Sequence, residues 1–274
     1  NGLIYWPLRE EIRVFHPQSG RQPLRLPLKI HGETGGHLMV ADGFLVIVQS
    51  DEIVVFSHYG RLFERYQKDR DNSPDDPMRH YRLGRAAEAT NQWELALSSY
   101  HQTLSLADDN TAIESLPVAT LARQRSFHLL TRKANEFSHT DQLQQAAEFY
   151  RRAADVVQKP QQKIHAFLKE ADTRRQLQHY PEMFAIYQNI LTTPRLSTVP
   201  IATDSNLAFP AHTIVSQKLT EVINQHGFDF YTPFEQLASE LYGKAEHPKD
   251  MESVARQYPC SQTTLIILKH LLEQ

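Results

Sequence analysis

YRLGRAAEATNQWELALSSYHQTLSLAD, from Tyr81 to Asp108, decides how this chain is read. The small residues Gly84 and Ala96 stand among the bulky Leu83, Trp93 and Tyr100, on either side of a polar break at Asn91-Gln92. Small side chains let two helix backbones approach, and the large ones fill the space between them. The pattern predicts a helical hairpin. Asn91 to Glu94 reads as its turn and as a capping box, with the Asn91 side chain accepting from backbone N–H groups and Glu94 reaching back.

One such hairpin cannot bury its own apolar face, so further copies are required. In a second, Ala134 takes the place of Gly84, Phe137 follows, Asp141-Gln-Leu-Gln144 caps the next helix, and Ala146, Tyr150 and Ala153 supply the contact. In a third, Ala171 precedes the turn His179-Tyr-Pro-Glu182, then Met183, Tyr187 and Ile190. These residues resemble tetratricopeptide repeats, whose period is about 34 residues. The wider gap between Gly84 and Ala134 predicts an insertion and a longer leading helix after Pro117. Met183 departs from the small residue that the family prefers at its position.

The resemblance implies a stacked array whose leading helices line a concave face, with the residues beside the small packing positions on or near it. On this chain those are Arg82, Arg85, Arg132, Asn135 and Lys169, with Asp172 next to the last. Peptide-binding members of the family use Lys, Arg and Asn there to hold carboxylates or backbone. The alternative is that these are ordinary charged residues on exposed helix faces.

Seven of the ten glycines lie in the first sixty residues, where apolar residues come in short alternating runs. Seven strands are predicted: Leu3 to Trp6, Glu11 to Phe15, Leu24 to Leu28, His37 to Ala41, Phe44 to Val48, Ile53 to Phe56 and Leu62 to Tyr66. They sort into a preceding group of three and a four-stranded group from His37 to Tyr66. Asp42-Gly43 is a hairpin signal, and Ser19-Gly20 and Tyr59-Gly60 punctuate two further joints. Val14-Phe-His-Pro-Gln-Ser-Gly20 and its echo at Val55 to Gly60 resemble the blades of a pyrroloquinoline-quinone-like propeller, over about sixty residues. Such a propeller needs 4 to 8 blades, so these read as its last, with a face that must pack on the helical array or on another chain.

The whole is therefore read as α+β and mainly α. A β segment spans 1–67, a charged linker or helix-start signal 68–77, helical repeats 78–192, a Pro/Ser/Thr-rich loop 193–211 and C-terminal helical hairpins 212–274. In the last part, His226-Gly227 is a helix stop. Thr232-Pro-Phe-Glu235 is a capping box with proline in the first turn. Tyr258-Pro-Cys-Ser261 is an inter-hairpin joint with Ser261 as N-cap.

At 274 residues, with 41% hydrophobic and 22% charged residues, the chain has the composition of a soluble protein of about two domains. No apolar run approaches the ~20 residues of a membrane span. Asn1 opens directly in a strand pattern, which reads as an excerpt, and no leader is in view. The 29 Lys and Arg against 32 Asp and Glu give a net charge of −3, without the basic excess that binds nucleic acid. The single cysteine, Cys260, excludes an internal disulfide and a multi-Cys zinc site. It reads as a small residue in a helix joint rather than a reactive thiol.

The propeller resemblance implies one enzymatic possibility, a quinone cofactor with calcium, for which Trp6 would stack and Glu10, Glu11 or Asp42 would be ligands. Packing at a strand end and solvated turn carboxylates account for these residues as well, and no cofactor is expected. The fourteen histidines are scattered without metal-ligand spacing. HGETGG at His31 to Gly36 lacks the Lys-Ser/Thr ending of a phosphate loop and reads as an inter-strand turn. The expected function is a non-enzymatic scaffold for protein or peptide partners, with self-association through the β segment as a further possibility. An accessory segment of a propeller dehydrogenase is the alternative. A cell-envelope location is implied by the resemblance alone.

Overall fold

Alternation of apolar and polar residues at the N-terminus produces two three-stranded antiparallel sheets. β1 (Ile4–Pro7), β2 (Glu11–Phe15) and β3 (Leu24–Pro27) form the first, in that order, and β4 (His37–Ala41), β5 (Phe44–Val48) and β6 (Ile53–Ser57) the second. The computed structural model describes residues 2–28, 36–41, 44–49, 53–57, 59–108, 110–113, 115–202 and 207–273. Packing divides the chain into two units, Asn1–Leu106 and Ala107–Gln274.

The register fixes which side chains share a face. Tyr5, Val14 and Leu24 lie opposite one another in the first sheet, and Leu38, Ile47 and Val54 in the second. From those faces Ile12, Leu28, Leu45 and Ile47 are buried together, with Tyr5, Leu26, Leu38, Val54 and Phe56 against them. The two sheets therefore share one small core. Their remaining faces differ. That of the first aligns Trp6, Arg13 and Arg25, and Glu11 accepts from Arg13 Nε at 2.7 Å and from Arg25 Nε. That of the second aligns Met39, Val46 and Val55, and leaves Met39, Val48, Ile53 and Val55 exposed.

The expected seventh strand, Leu62 to Tyr66, is helical instead. It lies inside α1 (Tyr59–Asn72), so the second group has three strands rather than four. Leu62, Phe63 and Tyr66 fall at i, i+1 and i+4, a spacing that suits a helix face better than a two-residue period. The first five residues of the expected linker, 68–72, belong to the same helix. At its far end Asp76 caps α2 (Pro77–Ala89), accepting from the Met78 N–H at 2.8 Å with Pro77 in the first turn. Asp42-Gly43 and His31 to Gly35 lie outside the described residues.

α2 and α3 (Trp93–Leu106) form the hairpin of the first unit. Gly84 is buried, and Ala96 and Tyr100 are wholly so, with the Tyr81 and Tyr100 ring centroids 6.0 Å apart; Trp93 is half-buried.

The second unit opens with a ribbon of β7 (Ala112–Ile113) and β8 (Leu116–Pro117). It continues with α4 (Val118–His139), α5 (Leu143–Val156), α6 (Pro160–Gln176) and α7 (Tyr180–Thr192), each packed on the next. At 22 residues α4 is the long leading helix expected after Pro117. The stretch 193–211 is less irregular than expected. It holds the short α8 (Pro194–Ser197) and a ribbon of β9 (Pro200–Ala202) with β10 (Ala208–Pro210), because its prolines sit at helix starts and strand ends rather than within elements. α9 (Ala211–His226) packs on α7 and stops at Gly227, which has φ of 88°. α10 (Thr232–Gly243), α11 (Pro248–Gln257) and α12 (Gln262–Leu272) enclose a cluster of Ala238, Met251, Val254, Tyr258 and Ile267.

All three hairpins turn by one device. Asn91, Asp141 and Gln178 each stand seven residues after Gly84, Ala134 and Ala171, with φ of 60°, 58° and 59°. In each case the N–H of that residue reaches the carbonyl three back, and the next N–H the carbonyl five back: Gln92 to Ala87 at 2.8 Å, Gln142 to Phe137 at 2.9 Å and His179 to Arg174 at 2.9 Å. This is the Schellman closure of a helix C-terminus. It corrects the expected capping boxes, because a left-handed residue finishes the first helix and does not cap the second. Gln142 and His179 occupy the N-cap positions without side-chain bonds. Gln178 tolerates the left-handed region less well than Asn91 does. Gln178→Gly should therefore raise stability by about 0.5–1 kcal/mol and Asn91→Gly leave it nearly unchanged, as read by thermal denaturation.

A second correction concerns Thr232 to Glu235. A 3-10 turn, Asp229–Tyr231, runs straight into α10, so Thr232 is already helical and cannot cap. The Glu235 carboxylate instead accepts from the N–H groups of Gln262 (2.8 Å) and Thr263 (3.1 Å) and from the Thr263 hydroxyl (2.7 Å). It thus closes the N-terminus of α12, where Ser261 accepts from the Thr263 N–H as anticipated. Burial pushes this carboxyl up, but the bonds from Thr263, Ser261 and the two amides outweigh it and hold it below its ordinary value. A lowered carboxyl stabilises the fold fully above the ordinary carboxylate range and loses that contribution as pH falls through its own value. Glu235→Ala should cost about 1–2 kcal/mol at neutral pH, and the difference from the parent should vanish in acid denaturation series.

Candidate functional site

Each leading helix carries polar residues at fixed offsets from its small packing residue. One residue after it stand Arg85, Asn135 and Asp172; two before it stand Arg82, Arg132 and Lys169. At about 100° per residue, the second set lies roughly 200° around the helix from the contact with its partner.

The first set is drawn into the hairpins. Tyr150 stands sixteen residues after Ala134, as Tyr100 does after Gly84 and Tyr187 after Ala171. The Tyr150 hydroxyl donates to Asn135 Oδ1 at 2.5 Å, and the Tyr100 hydroxyl donates to Glu88 at 2.7 Å. Burial, with the Asp172 carboxylate second, pushes the Tyr187 hydroxyl up. Burial does the same for Tyr150. Both therefore remain protonated donors. Asp172 also accepts from Lys218 Nζ of α9 at 3.0 Å, tying α6 to α9. Asn135, though exposed, and Asp172 are thus held by structural partners, and Arg85 is half-buried in the first unit.

The second set faces solvent. Arg132 is exposed, with Glu136 3.9 Å away in a loose pair. Lys169 is exposed with no ion pair among the described residues, and its charge joins burial in lowering the nearby His165. In the first unit Arg82 is exposed at the same register. The sequence marks Tyr150 and Tyr187 as packing residues, but not their hydroxyls as partners of the residue beside the small position, nor Lys218 as the partner of Asp172.

Behind this face lies a buried ion pair. Glu170 and Arg174 on α6 are 4% and 7% exposed, with Arg174 Nε 3.9 Å from Glu170 Oε1, too far for a hydrogen bond. Arg174 Nε has no other partner. Burial pushes the Glu170 carboxyl up to about 7, against the pull of Arg174 and Arg151 and with a further push from Asp155 and Glu148 on α5.

The residues weighed for redox chemistry are otherwise engaged or open. Glu11 is held by two arginines, and Trp6 is exposed beside them. Asp42 lies outside the described residues. Among the described residues no three His, Cys, Asp or Glu side chains converge on one point, and no helix is long and apolar enough to cross a membrane. Cys260 sits beside α9, 3.5 Å from the Thr220 hydroxyl, and burial pushes its thiol up, away from the reactive thiolate.

No protein-family model and no curated protein matches the chain. Among solved structures it is similar to the APC/C hetero-tetramer Cut9–Hcn1, at 14% identity over 78% of this chain and 39% of that one, with a TM-score of 0.26. It is also similar to YrrB, a TPR protein with an unusual peptide-binding site, at 11% identity over 76% and 99% of the two chains and a TM-score of 0.26. A third is the C-terminal part of a TPR repeat-containing protein from Cytophaga hutchinsonii, at 12% identity over 77% and 94% and a TM-score of 0.21. The chain thus spans 39% of the first of these. At such identities the architecture rests on the turns, spacings and packing above. By those criteria α2–α3, α4–α5 and α6–α7 are tetratricopeptide-like hairpins.

Proposed function

We propose that the chain is a non-enzymatic scaffold that binds an extended acidic segment or chain terminus of a partner protein along the exposed face of α4 and α6. The observation that carries this reading is the cation at one register position, Arg132 and Lys169, turned away from the partner helix and only loosely paired or unpaired. A guanidinium can hold a carboxylate bidentately, and an ammonium on a neighbouring leading helix adds a second point of charge. Arg82 repeats the position in the first unit.

A fluorescently labelled oligoglutamate peptide serves as probe. Binding should weaken as ionic strength rises, because the cations are exposed and screened. Arg132→Ala with Lys169→Ala should weaken it at least about tenfold while leaving the helical circular dichroism unchanged. Equal affinity of parent and double variant would remove these residues from any interface. For β1–β6 we keep the blade-like reading, supported by two consecutive antiparallel sheets with a shared core, each one strand short of the four-stranded blade.

A further inference from the structure

We infer that the chain pairs with a second copy of itself through the exposed leucine faces of α10 and α12. α12 buries Ile267 in the cluster it shares with α10 and α11, and its N-terminus is held by Glu235. Its other side carries Leu265, Ile266, Leu268 and Leu272, which are 63%, 55%, 47% and 87% exposed. The adjacent α10 exposes Leu237 and Leu241, at 46% and 38%. Scattered exposed leucines are ordinary, but six large apolar side chains on two packed helices are not.

Weighted by these exposures, the six present on the order of 500 Å² of apolar surface, toward the upper end of the largest patch on a typical monomer. Two copies face to face would remove about 1,000 Å² of these side chains alone from water, the least that a specific interface should clear. Composition points to a second copy as the occupant. Leu265, Leu268 and Leu272 are spaced three and then four apart, the seam by which identical helices interlock. Charges of both signs flank the leucines, Lys269 on α12 with Glu273 just after it, and Glu240 on α10 with Lys244 just after it. A two-fold pairing can therefore set opposite charges at the rim without net repulsion.

Sedimentation velocity on the 274-residue chain between about 1 and 100 µM tests the pairing. The parent should sediment as a dimer, and Leu268→Glu, Leu272→Glu and Leu237→Glu should each weaken association at least about a hundredfold. Leu272 is so exposed that its substitution cannot disturb the fold, and unchanged circular dichroism should confirm this for all three. Val55→Glu, on the open face of β4–β6, should leave the dimer intact. The inference is overturned by a parent that stays monomeric at the highest concentration, by a dimer that survives the leucine substitutions, or by one that Val55→Glu dissociates instead.

Discussion

Arg174→Ala should cost about 1 kcal/mol more stability near pH 8 than near pH 5, because without its cation the buried Glu170 stays protonated in the fold at a pH where the parent's has begun to ionise beside Arg174. Glu170 has its folded-state value raised to about 7 from an ordinary 4.5. The folded chain therefore binds a proton between those values that the unfolded chain has already released. In the parent, stability falls as pH rises through that window and levels off above about 7. Without Arg174 the carboxyl is pushed higher still. At pH 5 it is neutral in both proteins, and only the packing of the arginine stem is lost. Urea denaturation at the two pH values measures the difference. A cost that does not change with pH would show that Glu170 does not ionise in the folded state.

Gly84→Ala should destabilise the first hairpin by about 1–3 kcal/mol, although alanine is the better helix former by roughly 1 kcal/mol. A Cβ at Gly84 would lie 2.7 and 2.8 Å from two ring carbons of Tyr100 and 3.3 Å from Ser99 Cβ. Tyr100 is fully buried, and its hydroxyl is fixed on Glu88, so the ring cannot swing aside as a flexible chain end would. One hairpin later the preference reverses from glycine to alanine. Ala134 already carries a methyl in the equivalent place, fully buried, and Ala134→Gly should cost about 1 kcal/mol through the cavity and the backbone entropy. A Gly84→Ala protein as stable as its parent would mean that the α2–α3 contact is looser than the geometry described.

The hairpins were legible in the sequence because their signal is local. A small residue, a turn and a tyrosine sixteen on recur within twenty residues, and all six strands β1–β6 open where alternation begins or within one residue of it. What was misread is of two kinds. Leu62, Phe63 and Tyr66 suit a short strand or a helix face alike, and only packing against α2 decides between them. Asn91 and Glu235 have the composition of caps, yet one is consumed by a left-handed turn and the other by a helix 27 residues away. The same holds for the candidate groove. Exposed Arg132 and Lys169 follow from the helical period, but the engagement of Asn135 with Tyr150 and of Asp172 with Lys218 depends on which helices become neighbours. Burial of Glu170 and Arg174 is invisible at i, i+4 spacing, which more often marks a solvated pair.

The identical turns have a kinetic consequence. Each closes its two helices through contacts that start within about sixteen residues along the chain, as between Gly84 and Tyr100, so little loop entropy stands between the unfolded segment and the start of a hairpin. Pairs of helices can zip outward from Asn91, Asp141 or Gln178 on a microsecond scale without waiting for distant parts of the sequence. Ties such as Lys218 to Asp172 and Glu235 to α12 span 46 and 27 residues or more and can form only afterwards. Assembly is thereby ordered, with local hairpins first and their mutual locks last. Under stress the locks should open before the hairpins do, giving the chain a graded loosening from its junctions rather than a single all-or-none melt.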